Sequence, residues 1–205
     1  MKGTYETTHQ RILSSGLKWF LENGFECTNL RDMCADAGIT TGSFYRHFET
    51  KEELFAYLVQ PAVDEIRKLF ADAEPKCQEV IEAGHVERLW TIVDAEMLLD
   101  YIYRNFDALK LLLKSADGTA YSGFLDEVVS LETGITLRSL AAAKRRGLIL
   151  TKLPSEPELH LLCHAYISSL FEAVMHDFSR EEMDSYIHTV MSFFTAGSHR
   201  ILGIL

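Results

Sequence analysis

The stretch from Gly24 to Leu54 concentrates the residues whose types and spacing could do chemistry. Thr40, Thr41, Gly42 and Ser43 are consecutive and small, and three of them carry hydroxyls. A short helix opening with such residues lets its backbone come close to a polyanion, and the hydroxyls donate to phosphate oxygens or base edges. Ile39, Phe44 and Phe48 lie at spacings that lock that helix onto a core, which leaves Tyr45 and His47 pointing outward on either side of Arg46. The chemistry offered is hydrogen bonding and charge pairing with nucleic acid, not bond making.

A second cluster is His160-Leu161-Leu162-Cys163-His164, with three potential metal ligands within about one helical turn. No fourth ligand accompanies them, so a polar cluster or pocket lining is the expected use of His160, Cys163 and His164, and no metal or other cofactor is implied. The nucleophile elbow, phosphate loop, dinucleotide-binding glycines and paired-histidine zinc motif are all missing. No enzyme activity is expected.

The elements that must position these residues read as helices almost throughout, because proline is scarce and apolar residues recur at three and four. A first helix is expected from Thr8 to Asn23, with Thr7 and Gln10 as a capping box and Gly24 as its stop. Asn29 to Ala37 and a short helix ending near Phe48 follow, joined by the turn Gly38-Ile39-Thr40-Thr41. Two short helices across a glycine-containing turn have the form of a helix-turn-helix. Thr50 should cap a fourth helix that passes residue 70 with a kink at Pro61. Residues 74–85 read as a connection, and Val86 to Arg104 as one long helix. Asp107 to Ser115 and Ser122 to Arg146 come next, the latter closed by Gly147. The last two helices start at Ser155 and Ser179. The fold class is therefore all-α: a three-helix N-terminal head (residues 1–49) and a larger helical body (50–205), about nine helices in all.

The last two helices are apolar beyond one stripe, and such helices need a second burial surface. Leu162, Ile167, Leu170, Phe171, Val174, Tyr186, Val190 and Phe194 are the expected interface of a homodimer. No run of 18 apolar residues exists and the N-terminus lacks a secretory pattern, so the expected location is the cytoplasm, with no membrane partner. The four cysteines (Cys27, Cys34, Cys77 and Cys163) match no zinc spacing and are expected as reduced, buried thiols. Net charge is −10, and residues 1–60 hold six Lys/Arg against eight Asp/Glu. That balance excludes non-specific coating of DNA by a broad basic face. It still allows specific binding through hydroxyls and a few local cations.

The whole pattern resembles the tetracycline-repressor (TetR) family over about residues 8–58. The residues that carry the resemblance are Gly24-Phe25, Thr28, Met33-Cys34-Ala35, Ala37-Gly38-Ile39-Thr40, Gly42, Tyr45, Phe48, Lys51 and Leu54. Cys34 and Thr40 stand where alanine and serine are usual. The resemblance implies a regulator of transcription that binds a double-stranded DNA operator as a homodimer. In it, Thr28 caps the second helix and touches phosphate, Arg31 reaches backbone or base, and Thr40, Thr41, Gly42 and Ser43 approach phosphates and bases. Tyr45, His47 and Lys51 hold phosphate, and Arg46 reads a base. It also implies a four-helix bundle from the last helix pair of each protomer, and an apolar pocket for a small-molecule effector, for which Trp90, Met97, Tyr101, Phe106, Phe124 and Tyr166 are the candidates. Repression relieved by that ligand is the expected mode, with activation left open. The alternative is an all-helical ligand-binding protein or metal-dependent enzyme without a DNA function.

Overall fold

A computed structural model of the chain describes residues 2–149 and 151–204. Among them every regular element is helical: α1 Lys2–Cys27, α2 Leu30–Asp36, α3 Thr41–Phe44, α4 Lys51–Glu82, a 3-10 turn Val86–Thr91, α5 Ala95–Arg104, α6 Phe106–Lys114, α7 Phe124–Arg145, α8 Glu156–Met175 and α9 Arg180–Leu202. No described helix is long and apolar enough to cross a membrane.

Most helix boundaries follow local chemistry. Gly24 (φ 75°, ψ 162°) breaks α1 one turn before its end, in a conformation that a residue with a Cβ rarely adopts. Thr50 Oγ1 accepts the Glu53 N–H at 3.0 Å at the start of α4. The Ser155 and Ser179 N–H groups donate to Glu158 and Glu182, each at 2.8 Å, which makes α8 and α9 begin as capping boxes. Gly147 (φ 74°) ends α7, with the Leu148 N–H returning to Ala143 O at 3.0 Å.

Three boundaries differ from the sequence reading. α1 begins at Lys2, so Thr7 and Gln10 lie inside it, and Gln10 Nε2 donates to Glu6 at 3.2 Å instead of capping. The extra turn has a partner: the Tyr5 ring stacks on His47 with centroids 4.0 Å apart. The 74–85 connection is instead mostly helix, because α4 runs unbroken through Pro61 and Pro75 to Glu82. Each proline removes one backbone bond, and a buried stripe that includes Val59, Ile66, Phe70, Ala73, Cys77 and Ile81 outweighs that loss. The single helix expected over 86–104 is two pieces. Thr91-Ile92-Val93 is a β-branched run with poor helix propensity, and Asp94 Oδ1 then accepts the Met97 N–H at 2.8 Å to start α5 afresh.

The chain packs as two compact units. The first comprises residues 1–64 and 105–124, and the second residues 65–104 and 125–205. The first unit therefore extends beyond the 1–49 head to include the start of α4 and all of α6. The Phe25 N–H donates to Ser115 O at 3.0 Å, which ties the end of α1 to the end of α6. Its core is aromatic: Phe20, Phe25 and Phe55 lie within 5.3–5.7 Å of one another. α1 and α4 approach closely at Gly16, where an added Cβ would come 2.8 Å from Leu54. The core of the second unit includes Tyr101, Ile102, Val174, Met183 and Ile187.

Candidate nucleic-acid interface and ligand pocket

The interface in the first unit is built on α3, a single turn. Thr40 is its N-cap, and Thr40 Oγ1 accepts the Ser43 N–H at 3.1 Å. Phe44 on the same turn is fully buried and Phe48 nearly so, and these two rings pin the turn to the core. What remains outward is Thr40, Gly42, Tyr45 and Arg46, with Thr41 and Ser43 half-buried. A Cβ on Gly42 would meet only Thr40 Oγ1, at 3.9 Å, so the space above this position is open. Arg31 on α2 is exposed as well.

Three of the expected DNA contacts have internal duties. Thr28 is buried, and its hydroxyl donates at 2.7 Å to Gly24 O, with Trp19 O at 3.1 Å. The cap of α2 is Asn29, whose Oδ1 accepts from the Arg31 and Asp32 N–H groups at 2.8 and 3.4 Å. An asparagine directly after the threonine was the signal, since both are strong N-caps. Lys51 is half-buried: its ammonium donates to Phe25 O at 2.7 Å and Thr28 O at 3.0 Å, and lies 4.3 Å from the Phe25 ring centre. It staples the α1–α2 turn to the start of α4. His47 is half-buried against Tyr5 and His9, and its Nδ1 is buried without a partner. Burial, then the charges of His9 and Arg46, holds its pKa below the usual histidine value, so the ring is neutral near pH 7.

The second unit contains two adjoining cavities that share Trp90, Glu132, Thr136, Leu140 and Tyr166 in their walls. They enclose about 640 and 650 Å³, counting space open to solvent. Trp90 and Tyr166 are thus brought together as expected. The other four pocket candidates are not: Met97 is exposed, Tyr101 is buried among core side chains, and Phe106 and Phe124 belong to the first unit. Cys163 lines the pocket while His160 and His164 are exposed, so the three do not converge. Burial first, then the Glu132 charge, raises the Cys163 thiol to about 11. Cys34 and Cys77 are buried too, but Cys27 is exposed, contrary to expectation; all four are free thiols.

Sequence reasoning missed the polar side of this pocket. Glu132, Thr136 and Ser139 sit at i, i+4 and i+7 on α7 and so share one face. The signal was present, since a polar row on one helix face meets either solvent or a cavity. Thr136 Oγ1 donates to Glu132 at 3.2 Å, and burial pushes the carboxyl of Glu132 above the usual carboxylate range. Ser139 is 3% exposed, and its hydroxyl lies beside the Cys77 thiol, a weak partner.

The expected dimer residues divide into two groups. Ile167, Leu170, Phe171, Val174 and Val190 are buried within the single chain, while Tyr186 and Phe194 are half-buried and Leu162 is exposed. The large apolar side chains exposed on α8 and α9 are Leu161, Leu162, Phe193 and Ile201.

Residues 12–58 match the family model described as bacterial regulatory proteins, tetR family. The fold matches solved structures of such regulators. A TetR-family transcriptional regulator, PfmR, from Thermus thermophilus is 20% identical, with 90% of this chain and 94% of that one covered and a TM-score of 0.52. A TetR-family regulator from Syntrophomonas wolfei is 21% identical over 98% and 97% of the two chains, with a TM-score of 0.54. The fatty acid degradation regulator FadR from Bacillus halodurans is 14% identical over 92% and 98%, with a TM-score of 0.53. A one-turn helix with an open, hydroxylated leading face thus lies within residues 12–58, the segment that matches the tetR-family model, and the chain as a whole shares its fold with these solved regulators.

Proposed function

We propose that the chain is a homodimeric repressor that leaves its operator when a small molecule enters the pocket of its second unit. The observation that carries this reading is the outer face of α3, where Gly42 has open space above it and small hydroxylated neighbours beside it. That is the surface a major groove accepts. The bases are read by Thr41, Ser43 and Arg46, and the phosphates are held by Arg31, Thr40 and Tyr45. Thr28, Lys51 and the neutral His47 support this surface from behind. In functional terms residues 1–49 bind DNA, residues 50–205 bind effector and partner subunit, and the protein works in the cytoplasm without catalytic activity.

One head reads too few bases for specificity, and two heads read two half-sites. The exposed Leu161, Leu162, Phe193 and Ile201 of α8 and α9 support pairing through that face. The buried residues first assigned to it then form the layer behind. α4 contributes residues to both units and is one of the three points where the chain passes between them. A 100-fold weakening of operator binding corresponds to a coupling of about 2.7 kcal/mol between the two sites.

Selection from a random duplex library, followed by sedimentation of the protein with the enriched duplex, tests the reading. A palindrome bound by two protomers is expected. Phe193→Asp should give a monomer that no longer holds the palindrome. Failure to enrich any duplex overturns the DNA function, and an intact Phe193→Asp dimer overturns the interface.

A further inference from the structure

The pocket has a chemical asymmetry that narrows what it takes. Across both cavities the wall contains one acid, Glu132, and no lysine, arginine or histidine. No basic side chain pairs with Glu132 among the described residues; its hydrogen bond comes from the Thr136 hydroxyl. A carboxyl taken out of water without a cation or a full set of donors is costly to keep. Around it stand the rings of Trp90, Tyr166 and Phe194, with Phe70 in the second cavity. The Tyr166 and Phe194 centroids are 5.2 Å apart. Further along the same face of α7 is the buried Ser139 hydroxyl, with only the Cys77 thiol beside it.

From this arrangement we infer that the effector is a lipophilic monocation, such as an alkyl- or arylammonium, whose positive group pairs with the Glu132 carboxylate while its apolar part lies between the aromatic rings. Three observations converge on that charge. An anionic ligand would meet an acid with no cation to offset it. A neutral apolar ligand would bury the carboxyl further without satisfying it. A cation supplies the missing countercharge, and the faces of Trp90, Tyr166 and Phe194 attract the same charge through their quadrupoles. Ser139 then accepts from or donates to a second polar group of the ligand about two helical turns from Glu132. This inference rests on the reading of the cavity as the effector site.

The experiment uses the full-length dimer and three C8 probes that differ only in head group: octylammonium, 1-octanol and octanoate. Each is titrated by calorimetry into the wild type and into Glu132→Gln, at pH 7. Octylammonium is expected to bind at least tenfold more tightly than 1-octanol, and octanoate least. Glu132→Gln should abolish that tenfold preference while 1-octanol still binds, which separates loss of charge from loss of fold. Glu132→Asp, which keeps the charge on a shorter arm, should retain a reduced preference. Equal binding of octylammonium and 1-octanol, or an unchanged preference in Glu132→Gln, overturns the cation and leaves the pocket standing. No binding of any probe overturns the pocket itself, and tightest binding of octanoate overturns the charge assignment.

Discussion

The two units of the chain treat their inward-facing charges in opposite ways. In the first, Lys51 turns inward and finds two carbonyls, while the acid Asp36 stays at the surface, accepting from Lys18 and Ser15, each at 2.7 Å. The buried side-chain atoms left unmatched there include Nδ1 of His9 and His47 and Oγ of Ser115. In the second, Glu132 turns inward and finds one hydroxyl and no cation. A satisfied polar network rigidifies a scaffold, whereas a half-satisfied one is costly in isolation. On the proposed reading, the first unit holds a fixed surface for DNA and the second reserves the Glu132 carboxyl for the effector.

The largest effect that sharpens this contrast is expected at Gly42. Because a side chain there meets nothing within the protein, Gly42→Leu should fold normally and melt at or slightly above the wild-type temperature. The added side chain occupies the space the groove needs. Affinity for the enriched duplex should fall at least about 100-fold, or about 2.7 kcal/mol, measured by fluorescence anisotropy. Retained affinity would show that α3 is not the surface laid into the groove.

Lys51 comes next. Lys51→Met removes donors to Phe25 O and Thr28 O and should cost about 1–2 kcal/mol of stability. Operator affinity should weaken through the loosened α1–α2 turn, with the slope of log affinity against log salt unchanged. A lysine that touches phosphate would instead take about one unit off that slope. The wild-type slope itself should be no steeper than about −8, since few cations face outward from this acidic chain.

These two positions also show how much was legible in the sequence. Gly42 and its neighbours were read correctly as an outward surface, because small residues beside a buried Phe44 and Phe48 allow little else. Lys51 and Thr28 lie in the same motif yet face inward. Residue type and spacing bring a side chain to a place without saying whether carbonyls or solvent will receive it. The helix starts at Ser155 and Ser179 were legible because capping boxes are local chemistry. The run of α4 through Pro75 was not, because tertiary burial of Phe70, Ala73, Cys77 and Ile81 overrides a local breaker. The pocket was half legible. Aromatic residues in the sequence do not declare whether they line a cavity or fill a core, and Tyr101 and Tyr166 went opposite ways.

The smallest effect is in the second unit, and it asks whether Glu132 is unpaired in the free protein. Burial raises its pKa in the folded state above the unfolded value of about 4.3. A raised carboxyl favours the fold while protonated, so its contribution is fully present below that unfolded value and is lost as pH rises through the folded one. The titratable groups facing it, Cys77 on α4 and Cys163 and Tyr166 on α8, all have pKa values raised by burial and stay neutral over the same range. Glu132→Gln removes the titration and keeps the shape. The variant should therefore match the wild type at about pH 4 and below and exceed it by about 1 kcal/mol at pH 8, read from urea midpoints at constant m-value. A gap that stays flat with pH, or that favours the wild type at pH 8, would mean that the carboxylate already has a countercharge, and the contrast between the two units would not hold.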